Sequence, residues 1–234
     1  MTSIAENVAN VRRQIRQAAL ACGRDPERIT LCAATKTNGP AAIQAAIAAG
    51  VDCCGENRVQ EMVQKMEAGA YHGAPLHFIG HLQTNKVRQV VGKVELIQSA
   101  GRRNLLEALE KEADRQGIRQ KILLEVNIGR EASKSGFLPE ELLAELPEFG
   151  KYPHLFAVGL MAIPPAAAYP GENLHFFQEM SQLFVDISRE KYDNVTMAQL
   201  SMGMSGDYLE AIACGSTMVR LGTAIFGPRN DHPA

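Results

Sequence analysis

The sequence predicts an α/β protein: a single (β/α)8 barrel with an extra helix in front of it. Eight short apolar runs of strand type alternate with helical patterns, which is the order a closed barrel needs. Several runs are continuously apolar, as parallel strands buried on both faces must be. The 234 residues suit one barrel, a fold of roughly 250 residues. An open doubly wound sheet is the alternative. No G-x-G-x-x-G follows the first run, which argues against its dinucleotide-binding form.

Ser3 and Glu6 have capping-box spacing, and Ile4, Val8, Val11, Ile15 and Ala19 follow on one helical stripe. That helix ends by Gly23, before Asp25-Pro26. The strand candidates are residues 29–35, 51–55, 76–80, 94–99, 121–128, 155–163, 196–202 and 217–221. Between the first two, Pro40 can open a helix and Gly50 can close it. Val59, Met62, Val63 and Met66 form the next stripe, with Glu61 and Lys65 paired at i,i+4. Leu105, Leu106 and Leu109 form another. Phe176, Phe177, Met180, Leu183, Phe184 and Ile187 make a face that packs on the barrel. Residues 164–171, rich in Pro and Ala, read as a long βα loop. With no linker or repeat beyond the alternation, the chain reads as one domain over residues 1–234.

Hydrophobic residues make up 46%, enough for a large core. The net charge of -2, from 24 basic and 26 acidic side chains, gives no general pull toward nucleic acid or anionic membrane. Five cysteines without a CxxC pair suit a reducing compartment. With no signal peptide and no apolar run of bilayer length, a cytoplasmic location is expected. Neither HExxH nor paired CxxC points to zinc.

In such a barrel the active face lies at the carboxyl ends of the strands. Lys36 emerges there after the first strand. A lysine desolvated at that place can present a neutral amine to an aldehyde; the plainer role is a surface lysine. Residues 201–206, rich in Gly and Ser, precede a short helix at 207–214, and Gly222-Thr223 follow the last strand. Loops in these places form phosphate cups in many barrels, because glycine lets amides approach an anion and a helix N-terminus favours it; simple tight turns are the other reading. His77 reads as structural. His81 is a candidate acid–base group, and Glu56 is an ion-pair partner, a helix cap or a catalytic group.

At these same residues the sequence resembles the pyridoxal phosphate homeostasis protein family. The matching blocks are Ala34-Thr35-Lys36-Thr37, Gly55-Glu56-Asn57, His77-Phe78-Ile79-Gly80-His81-Leu82-Gln83-Thr84-Asn85-Lys86, Ser133-Lys134-Ser135-Gly136, Gly159-Leu160-Met161, Leu200-Ser201-Met202-Gly203-Met204-Ser205 and a last one from Gly215 to Gly227. The family is similar to the barrel domain of alanine racemase. The resemblance implies pyridoxal 5′-phosphate on Lys36 as a Schiff base, with phosphate contacts from Ser201, Gly222 and Thr223. It implies Asn57 beside the cofactor and Arg220 facing the pyridine nitrogen, where a cation weakens the ring as an electron sink. Lys134 is a further basic residue at the site mouth. The sequence departs from the family pattern at Leu76, at Ala100-Gly101 and at Asn38.

The function implied is non-catalytic: a carrier keeping intracellular pyridoxal phosphate and amino-acid pools balanced. Its partners would be the cofactor and the apo-enzymes that accept it, with the chain a monomer or weak dimer. Only residues 230–234 follow Gly227-Pro228 and Arg229, so the second domain of racemase-type enzymes is not expected. Two alternatives are a pyridoxal-phosphate-dependent amino-acid racemase or lyase, and a sugar-phosphate barrel enzyme without pyridoxal.

Overall fold

The computed structural model describes residues 2–228; the tail on which the expectation of no second domain rests lies outside them. Eight strands form a closed barrel in chain order, every neighbouring pair parallel. They are β1 (Thr30–Ala34), β2 (Cys53–Glu56), β3 (Leu76–Phe78), β4 (Leu96–Ala100), β5 (Gln120–Val126), β6 (Leu155–Ala162), β7 (Val195–Ser201) and β8 (Met218–Leu221). All eight expected strands are present, with ends shifted by at most two residues. The helices are α1 (Ile4–Ala21), α2 (Pro40–Ala48), α3 (Val59–Glu67), α4 (Arg103–Gln116), α5 (Pro139–Glu145), α6 (Leu174–Ser188), α7 (Tyr208–Ala213) and α8 (Thr223–Phe226).

The capping box forms as its spacing predicts. The Glu6 amide donates to Ser3 Oγ at 3.2 Å, and the Ser3 amide to Glu6 Oε2 at 2.7 Å. On α1 the stripe Val8, Val11, Ile15 and Ala19 is buried. It packs with Leu31 and Ala33 of β1 and Val219 and Leu221 of β8, and α1 lies against α2, α7 and α8. Each of these Val and Ile side chains contributes about 1.5–3 kcal/mol by leaving water. The extra helix therefore covers the seam where the first and last strands meet.

Leu105, Leu106 and Leu109 of α4 and Phe177, Met180, Leu183 and Ile187 of α6 are buried in the larger outer core. The alternation breaks once. Between β3 and β4 stands only a 3-10 stretch, Thr84–Gln89. Val87, Val90, Val91 and Val94 have helical spacing and are buried, but Gly92 at φ +75 interrupts the turn inside that stripe. Gly159 in β6 has φ +152, and a Cβ on it would sit 1.8 Å from the Gln199 carbonyl oxygen. Only glycine lets β6 and β7 approach this closely. No helix among the described residues is long and apolar enough to cross a membrane.

Candidate functional site

Side chains of β1 alternate between the two faces of the barrel wall. Leu31 and Ala33 belong to the outer core with α1, whereas Cys32 belongs to the barrel interior with Cys53, Leu123 and Met218. The alternation continues past Ala34. The Thr35 amide still donates to the Gly55 carbonyl at 2.9 Å, and its hydroxyl donates outward to Glu56 Oε2 at 3.0 Å. Lys36 therefore falls on the inner side, at the carboxyl-end mouth, and is half-buried. The next turn is held tightly. Thr37 has φ 64, its amide donates to Glu61 at 3.1 Å, and the Lys36 carbonyl accepts from Thr37 Oγ1 and Asn38 Nδ2.

Glu56 is the ion-pair partner among its three expected roles. It points out of the barrel, fully buried. Its Oε2 accepts from Thr35 Oγ1, from Lys65 Nζ at 2.8 Å and from the Tyr71 hydroxyl at 2.8 Å. Lys65 also reaches the Thr35 carbonyl at 3.0 Å and Glu61 at 3.2 Å. Burial and the Glu56 charge push the Tyr71 hydroxyl upward, so the phenol stays a donor. This cluster fixes the last residue before Lys36 from behind.

Inside the barrel runs a chain of polar contacts. Arg220, buried and beside Cys32 in the strand register, donates through Nη1 to Ser201 Oγ at 2.6 Å and through Nη2 to the Ala162 carbonyl at 2.9 Å. Ser201 donates to Gln98 Oε1 at 2.7 Å. The Gln98 amide nitrogen is 3.0 Å from His77 Nδ1, so this network assigns the imidazole proton to Nε2. Burial pushes His77 down to about 4, leaving it neutral and structural as expected. Burial also lowers Arg220, yet guanidinium stays charged in proteins. A cation is thus fixed beneath the mouth, its direction set by Ser201.

The loops after β7 and β8 come together. The amides of Gly222 and Ala224 both donate to one oxygen, Ser205 Oγ, at 3.2 Å. Two amides aimed at one acceptor are what an anion's oxygen satisfies. Asp207 accepts from the Met204 amide at 2.7 Å and from Asn173 at 3.0 Å, which holds the loop closed. Gly203, at φ +94, lets it pass Tyr208 and Ala211, where a Cβ would stand 2.6 Å from Ala211. A Cβ on Gly222 would lie 3.7 Å from that of Ala34, so the cup adjoins the end of β1. Thr223 opens α8 and is exposed.

Across the mouth, Asn57, Ile79, Gly80, His81, Glu125, Val126, Lys134, Ser135 and Ile163 line a cavity of about 220 Å3. Asn57 Oδ1 and Glu125 Oε2 are buried without a hydrogen-bond partner. Gly80 has no room for a Cβ, which would lie 2.0 Å from the Asn57 carbonyl oxygen. His81 Nδ1 is 2.6 Å from Ser135 Oγ, and Arg102 is 3.3 Å from His81 Nε2. Burial and Arg102 hold His81 below its ordinary value. Lys134 pairs with Glu131 at 2.5 Å and donates to the Pro164 carbonyl at 3.1 Å.

Burial raises Glu125 from 4.5 to about 7, with Arg220 and Arg102 opposing. A carboxyl raised in the folded state favours folding fully below its unfolded value, and that contribution is lost as pH rises through the folded value. The loss here runs from about pH 4.5 to about pH 7 and amounts to about 3 kcal/mol. Glu125→Gln is therefore expected to raise stability by about that much at pH 8 and to leave it nearly unchanged at pH 4. Urea denaturation of both proteins at the two pH values checks this. A gain that does not depend on pH contradicts it.

The model of the alanine racemase N-terminal domain matches residues 3–230. A pyridoxal phosphate homeostasis protein of Aquifex aeolicus is 41% identical over 225 residues, covering 96% of this chain and 97% of its own. The protein of that name from Escherichia coli strain K12 is 41% identical over 234 residues, 98% of each chain. This chain belongs to the pyridoxal phosphate homeostasis protein family, on the alanine racemase N-terminal domain fold. PipY of Synechococcus elongatus, solved with PLP bound, superposes with a TM-score of 0.82 at 32% identity, over 96% of this chain and all of that one.

Within this family member, one mouth gathers Lys36, Asn57, Gly222, Thr223 and, through Ser201, Arg220. The Ser201 hydroxyl turns inward to Arg220 and Gln98, and the hydroxyl standing at the Gly222 and Ala224 amides is that of Ser205. Ser205 lay within the expected cup but carried no mark separating it from Ser201. Gln98 and Glu125 had no signal of their own. Each sits within a strand run, and only the inward alternation of β4 and β5 brings it to the interior.

Proposed function

We infer that this chain is a pyridoxal 5′-phosphate binding protein, holding the cofactor as a Schiff base on Lys36. It acts as a single-domain, cytoplasmic, non-catalytic carrier in pyridoxal phosphate and amino-acid homeostasis, passing the cofactor to apo-enzymes. The observation carrying this reading is that buried Arg220 and the paired Gly222 and Ala224 amides belong to β8 and the turn after it, next to β1, past whose carboxyl end Lys36 follows. The family membership supports it, as does a relative solved with PLP bound at 32% identity.

The residues suit the three ends of such a ligand. The Gly222 and Ala224 amides, with Ser205 and Thr223, offer donors for its phosphate, and Lys36 offers the amine for its aldehyde. Arg220, held by Ser201 and the Ala162 carbonyl, offers the ring nitrogen a cation, which disfavours carbanion chemistry and suits a carrier. Asn57 lines the cavity across the mouth, and its Oδ1 is a buried acceptor without a partner. When bound, the group supplies a reactive aldehyde that the mouth shelters from other amines. Ser205→Ala is expected to weaken pyridoxal phosphate binding by about tenfold, the loss of one charge-assisted hydrogen bond, with pyridoxal lacking the phosphate unaffected. Fluorescence titration with both ligands measures it.

One observation favours the racemase or lyase reading: Glu125, at about 7, could hold or yield a proton at neutral pH. Amino-acid α-proton exchange in deuterated water separates the two. A carrier shows no exchange above free pyridoxal phosphate. Exchange abolished by Glu125→Gln would replace the carrier with an enzyme.

A further inference from the structure

Beneath the mouth, three adjacent strands each send one metal-binding side chain inward: Cys32 from β1, Cys53 from β2 and His77 from β3. Cys32 and Cys53 are partners in the strand register. The two sulfurs and an imidazole nitrogen all lie within 4.8 Å of one another, and the residues are 0%, 2% and 5% exposed. Cys53 Sγ stands 3.6 Å from His77 Nδ1. A tetrahedral zinc site with ordinary Zn–S and Zn–N bonds has an S···N edge of about 3.5 Å. Met218 adds a thioether on the same interior face, its sulfur accepting from Gln98 Nε2 at 3.1 Å. Gln98 also donates to His77 Nδ1, so that nitrogen already presents its lone pair.

We propose that Cys32, Cys53 and His77 form a buried site for one thiophilic d10 metal ion, zinc(II) or copper(I), with the Met218 sulfur facing its fourth side. Thiolate, thioether and imidazole together select such ions over magnesium or calcium. Binding exchanges two thiol protons, released to water, for two metal–sulfur bonds. His77 loses no proton, because Nδ1 carries none, and Gln98 yields its hydrogen bond there to the ion. Zinc(II) with two thiolates is neutral; copper(I) with two thiolates carries one negative charge, which the neighbouring Arg220 offsets. Strands hold the ligands rigidly, and the ion ties β1, β2 and β3 together. The remaining cysteines serve as internal controls: Cys54 faces the outer core, Cys22 is exposed and Cys214 half-buried.

The test is metal analysis of the full-length reduced protein, produced in zinc-supplemented medium, in copper-supplemented medium, and refolded with cobalt(II) as a spectroscopic probe. The expected result is one zinc or copper ion per chain surviving gel filtration with a mild chelator. The Cys22→Ser, Cys214→Ser double variant keeps it, and Cys53→Ser retains less than a tenth. The cobalt form shows thiolate charge transfer for two sulfurs and the intense visible bands of four-coordination. Retention of neither ion by the wild type, full retention by Cys53→Ser, or loss in the double variant overturns the site. If Cys53→Ser does not fold, the wild-type cobalt spectrum decides, and one thiolate or none overturns the proposal. None of these readouts needs pyridoxal phosphate, so they succeed or fail independently of the carrier function.

Discussion

Lys36→Ala is expected to abolish the visible Schiff-base absorption of the protein with pyridoxal phosphate, and to weaken binding by about 100-fold, or about 2.7 kcal/mol. Only an inward lysine next to the cup can join an aldehyde whose phosphate sits there. The alternation of β1, anchored outward by Thr35 on Glu56, gives Lys36 that place. The Gly222 turn passing Ala34 brings the cup within reach. The substitution leaves the outer cluster of Glu56, Lys65 and Tyr71 untouched, so the fold should persist with its far-ultraviolet circular dichroism unchanged. Residual binding then reports the phosphate and ring contacts alone. A variant that kept the full band would place the aldehyde on another lysine.

Glu56→Ala is expected to destabilise the fold by about 3–5 kcal/mol, read as a lower urea midpoint at unchanged slope. Glu56 is fully buried and its Oε2 accepts three hydrogen bonds. Its removal leaves the Lys65 ammonium, 11% exposed, with Glu61 as its remaining carboxylate partner, and takes from the Tyr71 hydroxyl its carboxylate acceptor. Breaking a buried pair costs more than forming it stabilises, because the orphaned charge has lost its water. The effect should extend to the site, since Thr35 would lose its hydroxyl's carboxylate partner just before Lys36. Glu56→Ala, Lys65→Met should recover part of the stability, because no buried charge is then stranded. A double variant no more stable than the single one would show that packing, not charge, dominates.

The strands were legible because parallel barrel strands are buried on both faces and therefore read as unbroken apolar runs, such as Leu31-Cys32-Ala33-Ala34 and Leu155-Phe156-Ala157-Val158. Their ends were less so, since the last ladder bond depends on the neighbouring strand and not on local residues. The connection after β3 is a 3-10 stretch, interrupted where Gly92 takes φ +75. Lys36 was a candidate from its position at a strand end, with a surface lysine as the plainer role, and the resemblance over the blocks in order supplied the rest of the candidate set. Two facts needed three dimensions. Ser201 and Ser205 are equivalent in sequence, but the twist at Gly203 sends one hydroxyl inward to Arg220 and the other to the Gly222 and Ala224 amides. Glu56 had three open roles, and only Lys65, nine residues on, and Tyr71, on the far side of α3, assign it the ion pair.

The most direct test of the central claim is to incubate the wild-type protein with pyridoxal phosphate, reduce it with borohydride, digest it and locate the phosphopyridoxyl group by mass spectrometry. The account predicts one group per chain, on the peptide containing Lys36. A label spread over surface lysines, confined to Lys134, or absent altogether would contradict it.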